Sequence, residues 1–275
     1  MRFNLILHIT GRNKVLPINY QYPQHSWIYR VIQSADAEFS HFLHEEGYVH
    51  GYKKFKLFTF SPLTSKPFKI FKEENRIGLY GEEVQLQISF LVNQAAEKFI
   101  MGLFMGQQFS LGDQISSVDF EVKRIEAQPR PVFQERMRYR CLSPVVLSVS
   151  EEGKAYAQYL HPEDERYASF FMRHLAQKQA SVPQLTHADN NAWEVGCRSA
   201  GCPPANDWQF KLLSQPRKKG VHFKQHTPDH TQVIGYQYDF ELTAPPEVHE
   251  MAYYAGFGEK NSLGFGMCGI TKTYR

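Results

Sequence analysis

The run EEVQLQISFLVNQAAEKFIMGLFMG, residues 82–106, changes its hydrophobic period midway. Val84, Leu86, Ile88 and Phe90 alternate with Gln85, Gln87 and Ser89, the pattern of a strand buried on one face. From Asn93 onward Ala96, Phe99, Ile100 and Leu103 recur at helical spacing, so a helix follows the strand with almost no loop. SSVDFEVKRIE (116–126) then alternates again and reads as the next strand.

Working back from this β-α-β core, MRFNLILHITG alternates Phe3, Leu5, Leu7 and Ile9 with Arg2, Asn4, Ile6 and His8. That is the period of a first strand, not the h-region of a signal peptide. QHSWIYRVIQSADAEFSHFLHEEG (24–47) places Trp27, Ile28, Val31 and Ile32, then Phe39, Phe42 and Leu43, at helical spacing, which predicts two short helices meeting near Ser34 as an N-cap. FKLFTFS (55–61) and FKIFK (68–72), separated by Pro62 and Pro67, suit a hairpin. Apart from the extra short pieces, the order is β-α-β-β-α-β, in which two helices cover one face of an antiparallel sheet and leave the other to bind.

AQPRPVFQER (127–136), with two prolines, marks a link, and the expected domains are residues 1–127 and 128–275. The second opens with RYRCLSPVVLSVS, a strand pair broken by Pro144, and continues with a helix in PEDERYASFFMRHLAQKQA and a polar loop from Ser181 to Asp207. Strands follow in WQFKLLSQP and VIGYQYDFELT, the latter alternating through Ile234, Tyr236, Tyr238, Phe240 and Leu242. A helix in PPEVHEMAYYAG, with Pro in its first turn, precedes a last strand. The expected class is α+β, two tandem ferredoxin-like (RRM-like) units.

The chain has 275 residues, 42% hydrophobic and 21% charged, too apolar for disorder and without a run of the ~20 apolar residues a membrane span needs. No membrane partner is expected. Four scattered cysteines make a disulfide framework unlikely and a reducing cytoplasm the default, and Cys197 with Cys202 is a weak start for a metal site that lacks a second pair. A net charge of +3 supplies no global field, so any nucleic-acid site must come from local clusters. Two clusters stand out: Arg130, Arg136, Arg138 and Arg140 around the link, and Lys211, Arg217, Lys218, Lys219 and Lys224 in the second half. The i, i+2 spacing of Arg136, Arg138 and Arg140 puts all three on one face of a strand, as a phosphate track requires. The plain alternative is a solvated surface.

The segment GFGEKNSLGFG (256–266) brackets Glu259, Lys260, Asn261 and Ser262 with Gly256, Gly258, Gly264 and Gly266. Glycines let backbone amides approach an anion closely, and phosphate is the natural ligand. The segment follows a helix and lacks a GK[ST], so it is neither a dinucleotide fingerprint nor a Walker loop. A tight connection between helix and strand is the plain alternative.

GFGEKNSLGFG closely resembles the signature of the RAMP superfamily, in particular its CRISPR repeat-RNA processing endoribonucleases. The N-terminal MRF strand, WIYRVI (27–32), FLHEEG (42–47) and FKLFTFSPL (55–63) stand in the order of that family. The resemblance implies two ferredoxin-like domains with an RNA cleft at their junction, and cleavage of repeat RNA without metal or other cofactor to leave a 2′,3′-cyclic phosphate. It implies as partners CRISPR repeat RNA, other subunits of a CRISPR effector complex, and a second copy in a homodimer. Relatives that only hold guide RNA share the glycine segment, and a metabolic enzyme binding a small phosphate ligand is a further alternative.

By position the family's Tyr, His and Lys triad falls on Tyr29, His44 and Lys56. The chemistry needs a proton taken from the 2′-hydroxyl, a proton given to the leaving 5′-oxygen, and a cation for the phosphorane. A histidine of ordinary pKa, ~6.5, holds enough imidazolium at neutral pH to serve as the acid, His44. A phenol of pKa ~10 does not ionise unaided, so Tyr29 needs a cation such as Lys56 to act as base, or else it orients the attacking hydroxyl. Lys56 is a compact charge for phosphate oxygens. The plain readings are a helix-face tyrosine, a histidine favoured at a helix C-terminus and a solvated lysine. His41 and His50 rival His44, and Lys53 and Lys54 rival Lys56. The same resemblance assigns Gly256, Gly258, Lys260, Asn261, Gly264 and Gly266 to RNA contact or to positioning the catalytic helix.

Overall fold

The computed structural model describes residues 1–150, 157–182, 207–224 and 227–271. The first sheet runs, edge to edge, Gln108–Gly112, Ser117–Ala127, Arg2–Ile9, Val84–Phe90 and Phe58–Phe60, all antiparallel, with Thr64–Ser65 also pairing to Val84–Phe90. Without its added edge strand, Gln108–Gly112, this is the ferredoxin-like arrangement, with the first strand central between the last and the third. Leu5 stands between Ile125 and Leu86, and Leu5 and Leu86 are fully buried. The helices Gln21–Ala35 and Asn93–Met105 pack on each other, closely enough that a Cβ on Gly102 would fall on the Val31 carbonyl oxygen.

The second sheet repeats the plan in the order Gln209–Leu212, Asp239–Thr243, Arg136–Cys141 and Cys268–Ile270, with helices Tyr167–Ser181 and Pro246–Ala255. Its core is aromatic, with Phe171, Phe210, Phe240 and Phe257 in mutual ring contact around Tyr139. The chain is therefore α+β with two ferredoxin-like units.

The face of the first sheet turned away from its helices is open only in part: His8, Gln85 and Glu126 are exposed, but one end is covered, which the strand pattern does not predict. Its polar row Arg2, Thr59 and Ser89 is buried, and each side chain donates to a main-chain carbonyl of the second half. Arg2 reaches Cys268 and Tyr253 at 2.9 and 2.5 Å, Thr59 reaches Phe265 at 2.9 Å, and Ser89 reaches Tyr254 at 2.8 Å. Alternation shows which residues leave the apolar face, but a polar row can meet another part of the chain as readily as water.

Four local expectations change for similar reasons. Asp36, not Ser34, caps the second helix, Ala37–His41, by accepting from the Phe39 amide at 2.9 Å, while Ser34 turns back to the Val31 carbonyl. Phe58–Phe60 and Phe68–Phe71 do not pair with each other. The former is wholly buried and joins the main sheet, and the latter pairs with Arg76–Leu79, which in turn pairs with Val15–Pro17. The run from Ile234 to Leu242 is two strands: Thr231–Gln237 forms a hairpin with Arg217–Phe223, and Asp239–Thr243 enters the second sheet. Alternation survives the break at Tyr238, so period alone could not reveal the change of sheet. After Pro144 only Ser148–Val149 is strand, paired with Gln158–Tyr159. The Ser181–Asp207 loop lies almost wholly outside the described residues, as do Cys197 and Cys202. Cys141 and Cys268 face each other across neighbouring strands as free thiols, sulfurs 3.9 Å apart.

Candidate active site

Helix Ala37–His41 ends in a π-helical turn, Phe42–Glu46, closed by the Gly47 amide on the Phe42 carbonyl at 2.8 Å. The wider turn buries Leu43 completely and turns His44 outward, its side chain 57% exposed. The His44 ring lies edge-on to Tyr29, centroids 5.1 Å apart, and Tyr29 meets His25 at 4.8 Å, so the three rings form a row. Among the described residues the histidine ring that meets Tyr29 from this turn is His44, not His41, and His50 sits exposed on the following hairpin strand.

Lys56 donates to the His44 carbonyl at 2.6 Å, and Lys54 to the Glu45 carbonyl at 3.0 Å. Both lysines thus satisfy carbonyls that the end of the turn leaves without amide partners. Lys53 and Lys54, the alternatives to Lys56, line the same cavity. That cavity, about 270 Å³, lies between the halves, with Lys53, Lys54 and Lys56 from the first and His174, Lys178, Glu259 and Lys260 from the second.

Electrostatics sort these groups. Burial, aided by neighbouring Lys54, lowers Lys56 to about 8, which leaves it charged at neutral pH and neutral in mild alkali. Burial pushes the Tyr29 phenol upward, with the Ser262 side chain opposing this and the Glu45 charge reinforcing it. The phenolate is therefore disfavoured, and among the described residues no cation offsets the shift. Burial lowers His25 to about 4, so its ring is neutral, and its Nδ1, 2.7 Å from the Ser262 carbonyl, must carry the proton it donates. His44 bonds Glu45 at 2.7 Å and holds that carboxyl below its usual range.

The glycine segment is bonded mainly within the fold and touches the first helix. Gly256, Gly258, Gly264 and Gly266 all have positive φ, as does Lys260. The requirement is sharpest at Gly266, where a Cβ would fall on the Phe257 carbonyl oxygen. The amides of Gly256, Phe257, Glu259, Leu263, Gly264 and Gly266 all bond carbonyls within the protein, so most of the segment's donors are spent inside the fold. Asn261 is spent too: its Nδ2 donates to the Phe257 and Phe265 carbonyls at 2.9 and 3.0 Å. Two of the segment's carbonyls meet the first helix, Ser262 accepting from His25 at 2.7 Å and Leu263 from Gln21 at 2.5 Å. Lys260 is exposed and lines the cavity.

The basic clusters differ from each other. Arg136, Arg138 and Arg140 share one face of their strand, as the spacing requires, but each faces an acid on the neighbouring strand. Arg138 bonds Glu241 at 2.8 Å, Arg140 bonds Asp239 at 2.8 Å, and Arg136 lies 4.0 Å from Glu241. Arg217, Lys218 and Lys219 are exposed on the hairpin, with no ion pair among the described residues. Phe223 of that hairpin packs on Tyr22 and Phe265, which seats it beside the glycine segment and the start of the first helix.

Three participants carry little or no mark in the sequence. His25 lies four residues before Tyr29 and so on the same helix face, a signal that is present but faint. Ser262 stands inside the glycine segment without a distinguishing feature. Lys178, 1% exposed, has no local signal, since a lysine in a helix is ordinarily solvated.

The family model of CRISPR associated protein Cas6, C-terminal, matches residues 126–270, and that of CRISPR-associated protein Cas6, N-terminal, matches residues 15–126. The chain is 28% identical over 271 residues to CRISPR-associated endoribonuclease Cas6 1 of Methanocaldococcus jannaschii, spanning 97% of this chain and 91% of that protein. It is 26% identical over 278 residues to CRISPR-associated endoribonuclease Cas6 of Pyrococcus furiosus, spanning 97% and 89%. The solved structure of a Cas6-related gene product from Pyrococcus furiosus shares the fold with a TM-score of 0.77 at 22% identity, covering 100% of this chain and 99% of that one. That of a RAMP protein binding different RNA substrates does so with a TM-score of 0.77 at 21% identity, covering 99% and 100%. With both ferredoxin-like units matched and the glycine segment docked against the first helix, the chain belongs to the Cas6 family.

Proposed function

We propose that this chain is a metal-independent endoribonuclease that cuts CRISPR repeat RNA, in two domains divided near residue 127. The ribose 2′-hydroxyl attacks its neighbouring phosphorus, the bond to the 5′-oxygen breaks, and a 2′,3′-cyclic phosphate and a 5′-hydroxyl result. His44, exposed on its turn beside Tyr29, gives the proton that the 5′-oxygen needs to leave. Tyr29 orients the 2′-hydroxyl and does not act as base, because burial opposes its phenolate; the hydroxyl proton passes to solvent. Lys56 supplies positive charge to the non-bridging oxygens. The exposed Arg217, Lys218 and Lys219, on the hairpin whose Phe223 packs against Tyr22 and Phe265, hold the RNA backbone, with Lys260 lining the cavity.

The observation that carries this reading is the convergence of Tyr29, His44 and Lys56, brought from a helix, a π-turn and a strand end, with the Tyr29 and His44 rings 5.1 Å apart and the Lys56 ammonium 2.6 Å from the His44 carbonyl. The test is cleavage of the host's own repeat transcript in excess EDTA by wild type and His44→Ala, with a parallel RNA carrying one 2′-deoxy sugar at the cut. Cleavage that survives EDTA and is lost in both controls is expected. Tight binding without cutting would make the chain an RNA-holding subunit and overturn the triad.

A further inference from the structure

Lys178 lies on the inner face of helix Tyr167–Ser181, 1% exposed, with its ammonium enclosed by the glycine segment. It donates to the Gly256 carbonyl at 2.6 Å, the Gly258 carbonyl at 3.0 Å and Asn261 Oδ1 at 2.6 Å. All three partners are acceptors, and a neutral lysine amine has only two N–H groups where the ammonium has three, so the site is matched to the charged side chain. Burying a lysine is costly, and burial draws it down to about 7. Three charge-assisted hydrogen bonds offset that cost, and each is stronger than a neutral one.

These bonds have a route to the candidate active site. Asn261, held by Lys178 through Oδ1, uses its Nδ2 to tie Phe257 to Phe265 across the segment. The next residues, Ser262 and Leu263, receive His25 and Gln21 of the first helix, and the Ser262 side chain attends the Tyr29 hydroxyl. Lys178 is therefore linked to Tyr29 through one side chain and one turn of backbone, and it touches neither Tyr29 nor His44.

We infer that Lys178 is a positioning residue for RNA cleavage: from the second ferredoxin-like unit it fixes the glycine segment, and through Ser262 and Leu263 it fixes the helix that carries Tyr29. The inference rests on the endoribonuclease reading above for its kinetic consequence, but the mechanical link stands on its own geometry. A residue of this kind acts on the chemical step and leaves RNA affinity alone, since its ammonium is buried and spent.

The test uses the full chain with Lys178→Met, which keeps length and removes the charge, and with Asn261→Ala, which removes one of the three acceptors. Single-turnover cleavage at saturating RNA is expected to slow by about 100-fold in Lys178→Met, the scale of a misplacement of about 1 Å. The RNA Kd should stay within about threefold of wild type, and Asn261→Ala should likewise slow cleavage and leave the Kd within that range. Hydrogen exchange provides a second readout independent of cleavage: protection should fall in residues 256–266 and also in helix Gln21–Ala35. A weaker Kd with an unchanged rate at saturation would make Lys178 an RNA contact and overturn the inference. So would exchange changes confined to residues 256–266. If Lys178→Met does not fold, Asn261→Ala decides on the same two readouts. If wild type cuts no RNA, the proposed function fails, and the exchange result still decides the link.

Discussion

Gly266→Ala is a sharp test of how the glycine segment is built. Gly266 has φ +74, where an L-residue costs about 1–2 kcal/mol. Its added Cβ would fall on the backbone carbonyl oxygen of Phe257, which cannot swing aside as a side-chain tip can. That carbonyl accepts from Asn261 at 2.9 Å, and the Phe257 amide donates to Gly266 itself at 2.8 Å. Relieving the overlap breaks at least one of these bonds, worth about 1 kcal/mol net and more if a buried partner is orphaned. Strain and broken bonding together give about 2–4 kcal/mol. For a chain of this size each kcal/mol lowers Tm by about 2–4 °C, so a fall of roughly 5–15 °C is expected in thermal unfolding. Gly51→Ala is the control: Gly51 has φ +59 but nothing within 4 Å of its Cβ position, so it carries the strain without the collision. If the two variants melt alike, the packing argument is refuted.

Lys56 lies near 8, charged below that pH and neutral above it, so its support for the phosphate should fade as pH rises through 8. Arginine stays protonated throughout, and the ratio of the Lys56→Arg rate to the wild-type rate should climb by about tenfold per pH unit above that point. A ratio flat between pH 7 and 10 would remove Lys56 from the chemistry. The two basic clusters should also separate in a salt titration of RNA binding. Replacing Arg217, Lys218 and Lys219 together should reduce the slope of log K against log salt by about 0.7 for each phosphate left without its cation, whereas replacing the acid-paired Arg136, Arg138 and Arg140 should change it less. Equal effects would mean that the Asp239 and Glu241 pairs open on binding.

The ferredoxin-like order is legible because it rests on periodicity. Strand 84–90 and the helix after it change period within two residues, and the bounds that period predicts lie close to those observed. The departures involve partners beyond the chain's local reach. The hairpin expected between residues 55–61 and 68–72 does not form because Phe58–Phe60, wholly buried, needs a neighbour on the main sheet. The Ile234–Leu242 alternation gives no sign that its two parts belong to different sheets. The i, i+2 arginines do fall on one face, but their acids come from a strand about a hundred residues away, and no spacing within the sequence reveals that pairing.

By itself the sequence determined most of the elements, the two-unit plan and the segments WIYRVI, FLHEEG, FKLFTFSPL and GFGEKNSLGFG that mark the family. These depend on residue type and short-range spacing, which a chain carries wherever it folds. Tertiary structure alone decided what those segments do to one another. It placed the Tyr29 and His44 rings in contact, turned most of the glycine segment's amides inward and its Ser262 and Leu263 carbonyls toward the first helix, and buried Lys178 beneath it. The reason is physical: a buried donor or ammonium is stable only where acceptors converge, and here those acceptors come from segments tens to hundreds of residues apart that only the packed halves bring together.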